Sequence, residues 1–182
     1  DLEGIDLIKY LIDNLLINPK INHLTKLQFY SGNNILLNLE NLSNLKILDI
    51  SIETQIIPLN LKNVEKLNIE FINTDYSFNS FNFNDMLNFN DCINLKFIVY
   101  NCNNFQSYEN SLFLNKLNNL SNLEELHFYK HVCDLLILKI ETLKILKLFS
   151  CNYSIDFKKL NFPNLECLYV CNSVIRIVPY EK

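Results

Sequence analysis

The chain has 182 residues, 49% of them apolar and 20% charged, a balance that supports one folded domain and argues against whole-chain disorder. A net charge of −4 and an isoelectric point near 5.4 leave no basic stripe of the kind that displaces counterions from a nucleic-acid backbone. Composition is skewed toward residues with A- and T-rich codons, with 30 Asn, no Ala, two Gly and one arginine, Arg176, so asparagine content alone argues for no asparagine-based chemistry.

In chain order, residues 3–17 place Ile5, Ile8, Leu11, Ile12, Leu15 and Leu16 on one helical face that ends before Pro19. Residues 1–20 are therefore expected to form an N-terminal helical cap. From residue 21 to 173 one apolar skeleton recurs: INHLTKLQFY from Ile21, LSNLKILDIS from Leu42, LKNVEKLNIE from Leu61, CINLKFIVYN from Cys92, LSNLEELHFY from Leu120, IETLKILKLF from Ile140 and FPNLECLYVC from Phe162. Each copy reads apolar, two residues, apolar, two residues, apolar, one residue, apolar. The third apolar position falls at Leu27, Leu48, Leu67, Ile98, Leu126, Leu146 and Leu168, at intervals of 21, 19, 31, 28, 20 and 22. The last two apolar residues, separated by one, face the same side of a short strand, and the earlier ones fit a turn that feeds it. One such unit cannot bury its own leucines, so the units must stack, each contributing a parallel strand.

The skeleton resembles that of leucine-rich repeats, whose units run about 20 to 29 residues with the pattern LxxLxLxxN/C. The resemblance implies an α/β solenoid of about seven repeats. It would have a curved parallel β-sheet on the concave face and 3-10 turns, extended segments or short helices on the convex face. One departure stands out. The position five after the marker, often Asn or Cys in such repeats, holds Gly32, Glu53, Ile72, Asn103, His131, Cys151 and Ser173, of which only Asn103 and Cys151 match. Irregular loops rather than a uniform ladder are expected after the strands.

The two long intervals leave room for additions. INTDYSFNSFNFNDMLNFND, residues 72–91, is dense in Phe and Asn, and Tyr76, Phe78, Phe81, Phe83 and Phe89 are expected to cover the flank of the array. Leu112, Leu114, Leu117 and Leu120 are spaced for a short convex helix. The final residues 174–182, VIRIVPYEK, read as the start of a further repeat or a truncated C-terminal end. The chain opens at Asp1 rather than Met, so the lack of a visible leader carries no weight. No run of about 18 apolar residues occurs, and no membrane insertion is expected.

Little in the chain suggests catalysis or a bound cofactor. There are three histidines, no GxSxG, no HExxH and no glycine-rich phosphate loop, and only Gly4 and Gly32 to build one. His127, His131 and Cys133 lie close in sequence, but a strand and the following turn would separate them, so neither a metal site nor an enzyme is expected. None of the six cysteines, Cys92, Cys102, Cys133, Cys151, Cys167 and Cys171, pairs at zinc or redox spacing. Buried or half-buried free thiols are expected, which favours a reducing, cytoplasmic compartment. Sequons starting at Asn41, Asn119 and Asn152 are what chance gives at this Asn content.

Strand alternation singles out a surface. The outward positions are Gln28, Asp49, Asn68, Val99, His127, Lys147 and Tyr169, followed two residues on by Tyr30, Ser51, Glu70, Asn101, Tyr129, Phe149 and Cys171. Along this face a polar or acidic half gives way to one that gathers His127, Tyr129, Lys147, Phe149 and Tyr169, the kind of side chains that anchor interfaces. Those five residues are the expected partner-binding site. The expected function is a non-enzymatic protein-interaction module binding a polypeptide through the concave face. The alternatives are an extracellular or surface ligand-binding receptor domain and a structural subunit of a larger complex.

Overall fold

A computed structural model describes residues 23–31, 42–52, 59–71, 87–89, 92–102, 113–130, 135–155 and 162–177. The helical cap expected over 1–20 and most of the 72–91 insert lie outside these residues. In chain order the strands are β1 (Lys26–Ser31), β2 (Ile47–Ile52), β3 (Leu59–Asn60), β4 (Lys66–Phe71), β5 (Leu87–Asn88), β6 (Phe97–Cys102), β7 (Glu125–Tyr129), β8 (Ile145–Phe149), β9 (Asn152–Ile155), β10 (Cys167–Cys171) and β11 (Val174–Ile177).

Seven of them make one open sheet in the order β1-β2-β4-β6-β7-β8-β10, every neighbouring pair parallel. The register places the seven sequence markers opposite one another, Leu27 against Leu48, then Leu67, Ile98, Leu126, Leu146 and Leu168. Marker residues from Leu48 to Leu146 are fully buried, as are Ile50, Ile69, Tyr100, Phe128 and Leu148 two positions on. Burying each such side chain is worth about 1.5–3 kcal/mol, and since no strand can cover its own residues, that stabilisation depends on its neighbours.

The turn before each strand is also repeated. Backbone bonds from Leu45 to Leu42, Val64 to Leu61, Leu95 to Cys92, Leu143 to Ile140 and Leu165 to Phe162 close the same three-residue step. The polar residue inside that step ties one turn to the turn before it. Asn94 Nδ2 donates to the Lys62 carbonyl at 3.1 Å, Asn122 to Ile93 at 2.6 Å and Asn164 to Glu141 at 2.7 Å, while the Thr142 hydroxyl donates to Leu123 at 2.8 Å.

Just after this ladder, the residue two before each marker but the last accepts two backbone N–H groups from the following unit, as Lys46 does from Glu65 and Lys66. Along this row the charges alternate as Lys46, Glu65, Lys96, Glu124, Lys144 and Glu166, and the pairs Lys46–Glu65 (2.9 Å) and Lys144–Glu124 (3.0 Å) are closed. Exposed pairs of this kind each add little, but the alternation favours the observed order of neighbours.

Behind the sheet, a helical turn over 113–117 buries Phe113, Leu114 and Leu117, with Phe113 stacked on Tyr100 at 4.0 Å between ring centroids. The helix expected from the leucine spacing is present there over 113–117, and residues 108–112 lie outside the described residues. A 3-10 turn spans Leu135–Ile137, and two-stranded parallel sheets, β3 with β5 and β9 with β11, occupy other connections. At the β10 edge Leu168 is 37% exposed, because no strand covers it on its far side among the described residues.

One expectation needs correction. Cys92 and Cys151 are buried and Cys171 half-buried, but the Cys167 thiol is exposed, since β10 is the edge strand. The loops after β8 and β10 carry side-chain bonds at the position five after the marker, while the equivalent positions 32, 53, 72, 103 and 131 lie outside the described residues. The Cys151 thiol bonds the Phe128 and Phe149 carbonyls at 3.4 and 3.3 Å, and the Ser173 hydroxyl bonds the equivalent Leu148 and Cys171 carbonyls at 3.3 and 3.0 Å. Ser173 thus serves where Asn or Cys was expected, because a hydroxyl reaches the same two acceptors.

Candidate functional site

The five residues expected to form the site share one face of the sheet. His127, Lys147 and Tyr169 are aligned across β7, β8 and β10, and Tyr129 and Phe149 are aligned two residues further along. Pleating puts these rows opposite the buried marker row, as the alternating burial of β8 shows. Tyr129 and Phe149 stack nearly parallel, centroids 4.4 Å apart at 9°, and Phe149 meets Tyr169 at 5.4 Å and 44°. Parallel strands about 4.8 Å apart hold aligned rings at stacking distance without further support. Tyr169 is the most accessible of the three, at 47% exposure.

His127 behaves differently from its neighbours. It is 9% exposed and packs edge-on against Phe97 at 4.8 Å and Phe149 at 6.3 Å. Its Nε2 lies 2.6 Å from Glu125 Oε1, which also receives the Lys147 ammonium at 3.0 Å. Burial holds the His127 pKa below its ordinary value and, with Lys147 and Lys66, outweighs the opposing pull of Glu125. The ring is therefore neutral at pH 7, and Nε2–H donates to the carboxylate. Burial pushes the Glu125 carboxyl up, but bonds from His127 and Lys147 hold it below the usual range. His127 is thus enclosed by Phe97, Phe149 and Glu125 and braces the aromatic row.

Phe97, Glu125 and Ile145 belong to the same face but were not among the expected site residues. They lie one position before the markers, and continuing the alternation two residues earlier finds them. Lys66 sits over the Phe97 ring at 4.3 Å, a cation–π contact at the junction of the two halves.

The other half of the face is polar and knit together. Asn68 Nδ2 donates to Asp49 Oδ1 at 2.9 Å, the Ser51 hydroxyl to Glu70 Oε2 at 3.0 Å, and Asn101 Nδ2 to Glu70 Oε1 at 2.7 Å. Asn101 Oδ1 is enclosed without a donor. Among the described residues no three potential metal ligands come together; His131 and Cys133 lie outside them. Nor is any described helix long and apolar enough to cross a membrane.

No protein-family model matches this chain, and no curated protein matches it. The site therefore rests on its own geometry.

Proposed function

We propose that the chain is a leucine-rich-repeat solenoid acting as a non-enzymatic protein-binding module, with the outward rows of its sheet as the contact face. The observation that carries this reading is the stacked row Tyr129–Phe149–Tyr169, half-open to solvent and flanked by Lys147. Aromatic rings held rigidly by neighbouring strands lose little conformational freedom when a partner covers them, which is what makes such residues interface anchors. Support for the repeat comes from the seven-membered register of sequence markers and from the recurring turn, asparagine ladder and charge row. The free thiols and net acidity favour a cytoplasmic partner protein over nucleic acid.

A pull-down from native lysate tests the proposal, comparing the parent chain with a Tyr129→Ala, Phe149→Ala, Tyr169→Ala variant whose folding is verified by circular dichroism. A partner captured by the parent and lost by the folded variant supports the reading. Equal capture by both moves the binding site off this face.

A further inference from the structure

The two halves of the outward face make different demands on whatever covers them, and this inference rests on the protein-binding reading above. Three glutamates of the sheet region hold a lysine: Glu65 holds Lys46, Glu124 holds Lys144 and Glu125 holds Lys147. Among the described residues Asp49 and Glu70 hold only neutral donors, from Asn68, Ser51 and Asn101. Among the described residues no lysine or arginine reaches either carboxylate. Both are already half-buried. Covering them with an uncharged segment would strip the remaining water from two carboxylates with no compensating cation, which is costly. An occupant of this half must bring positive charge. The aromatic half makes no such demand, because Lys147 is already neutralised by Glu125, and it rewards burial of an apolar side chain against Tyr129 and Phe149.

We infer that the occupant is a polypeptide segment carrying a basic side chain and an aromatic or branched aliphatic side chain a fixed distance apart. The base is seated at Asp49 and Glu70 and the apolar group on the Tyr129–Phe149 pair. Glu70, Tyr129 and Phe149 lie in one register row on β4, β7 and β8. At about 4.8 Å per strand, Tyr129 and Phe149 lie roughly 10 and 14 Å from Glu70. An extended chain running across the strands covers that distance in about three to four residues at about 3.3 Å each. The segment is therefore bipartite, basic at one end and apolar three or four positions away.

An immobilised array of Gly/Ser peptides tests this, each peptide holding one arginine and one phenylalanine at separations from about one to eight residues. Matched peptides carry citrulline or glutamate in place of arginine. Binding of the full chain is expected to peak at separations of three to four. It should fall about tenfold for the citrulline and glutamate peptides and for a folded Asp49→Asn, Glu70→Gln variant, and weaken as salt is raised. Absence of binding throughout, indifference to separation, or equal binding by that variant overturns the inference. The same variant in the pull-down separates this failure from failure of the parent reading. A partner lost with the aromatic triple variant but retained by Asp49→Asn, Glu70→Gln leaves the module intact and removes the basic requirement.

Discussion

The backbone N–H of Cys151 donates to the Ser173 hydroxyl at 3.0 Å, joining two residues whose side chains do the same work one unit apart. Each reaches the carbonyl two residues before it and another on the preceding strand, so the loops after β8 and β10 are tied to the sheet edge. Ser173→Ala should cost about 1–3 kcal/mol, because it leaves the Cys151 N–H without its acceptor and removes the one hydroxyl proton shared by the Leu148 and Cys171 carbonyls. Cys151→Ser should be milder than Cys151→Ala, since a hydroxyl retains the donor. Urea unfolding midpoints of the three variants check the order.

The asparagine ladder ahead of the strands makes a second prediction. Asn122→Ala removes a 2.6 Å bond to the Ile93 carbonyl and should destabilise the chain by about 1 kcal/mol. Asn122→Asp should cost more, because it sets a carboxylate oxygen against a carbonyl where the amide donated. The comparison is a pair of thermal melts at neutral pH.

Lys130, Ser150 and Asn172 follow β7, β8 and β10 directly and share left-handed backbone, with φ of 55°, 53° and 51°. The N–H groups of Lys130 and Ser150 each bond the last strand carbonyl of the next unit, Phe149 and Cys171, at 2.9 Å, so the sheet ladder runs on through the turn. Asparagine tolerates this region best of the three, while lysine and serine are strained there. Lys130→Gly and Ser150→Gly should each raise stability by about 0.5–1 kcal/mol after the entropy of glycine is counted, whereas Asn172→Ala should lower it. Chemical denaturation curves decide between these signs.

Acid should weaken the aromatic half of the face through His127 and Glu125. The His127 pKa is depressed in the folded chain, so the unfolded chain binds more protons as pH falls below the ordinary histidine value of about 6.5. Stability is full above that value and is lost as pH drops from it toward the folded pKa. Glu125, also depressed, adds a further loss as pH falls below the ordinary carboxylate range toward its folded pKa. His127→Gln keeps a donor for Glu125 and should abolish the first loss but not the second, as unfolding free energies measured from about pH 7.5 down to about pH 2.5 would show.

The strands were legible because their signal is steric. Leu48, Leu67, Ile98, Leu126 and Leu146 must all be covered, and only one register covers them together. The outward face followed from alternation, and all five expected site residues lie on it. What alternation does not show is how far a side chain is enclosed by its neighbours: His127 is braced between Phe97 and Phe149, rings that are remote in sequence. The asparagine ladder was hidden for a different reason. With 30 asparagines in the chain, those at 94, 122 and 164 stand out only when aligned by their position between the first two apolar residues of each unit. Ser173 was passed over because the expected pattern named residue types, whereas the loop requires only a short donor.

The central claim, that the outward rows of the sheet are where a partner sits, is tested most directly by a benzophenone photocrosslinker placed in turn at position 149, in the aromatic row, and at position 93, where Ile93 is 60% exposed on a turn outside it. Irradiation of the captured complex should join the partner to the chain from position 149 and not from position 93. A crosslink from position 93 with none from position 149 would contradict the account and place the partner on the turns instead.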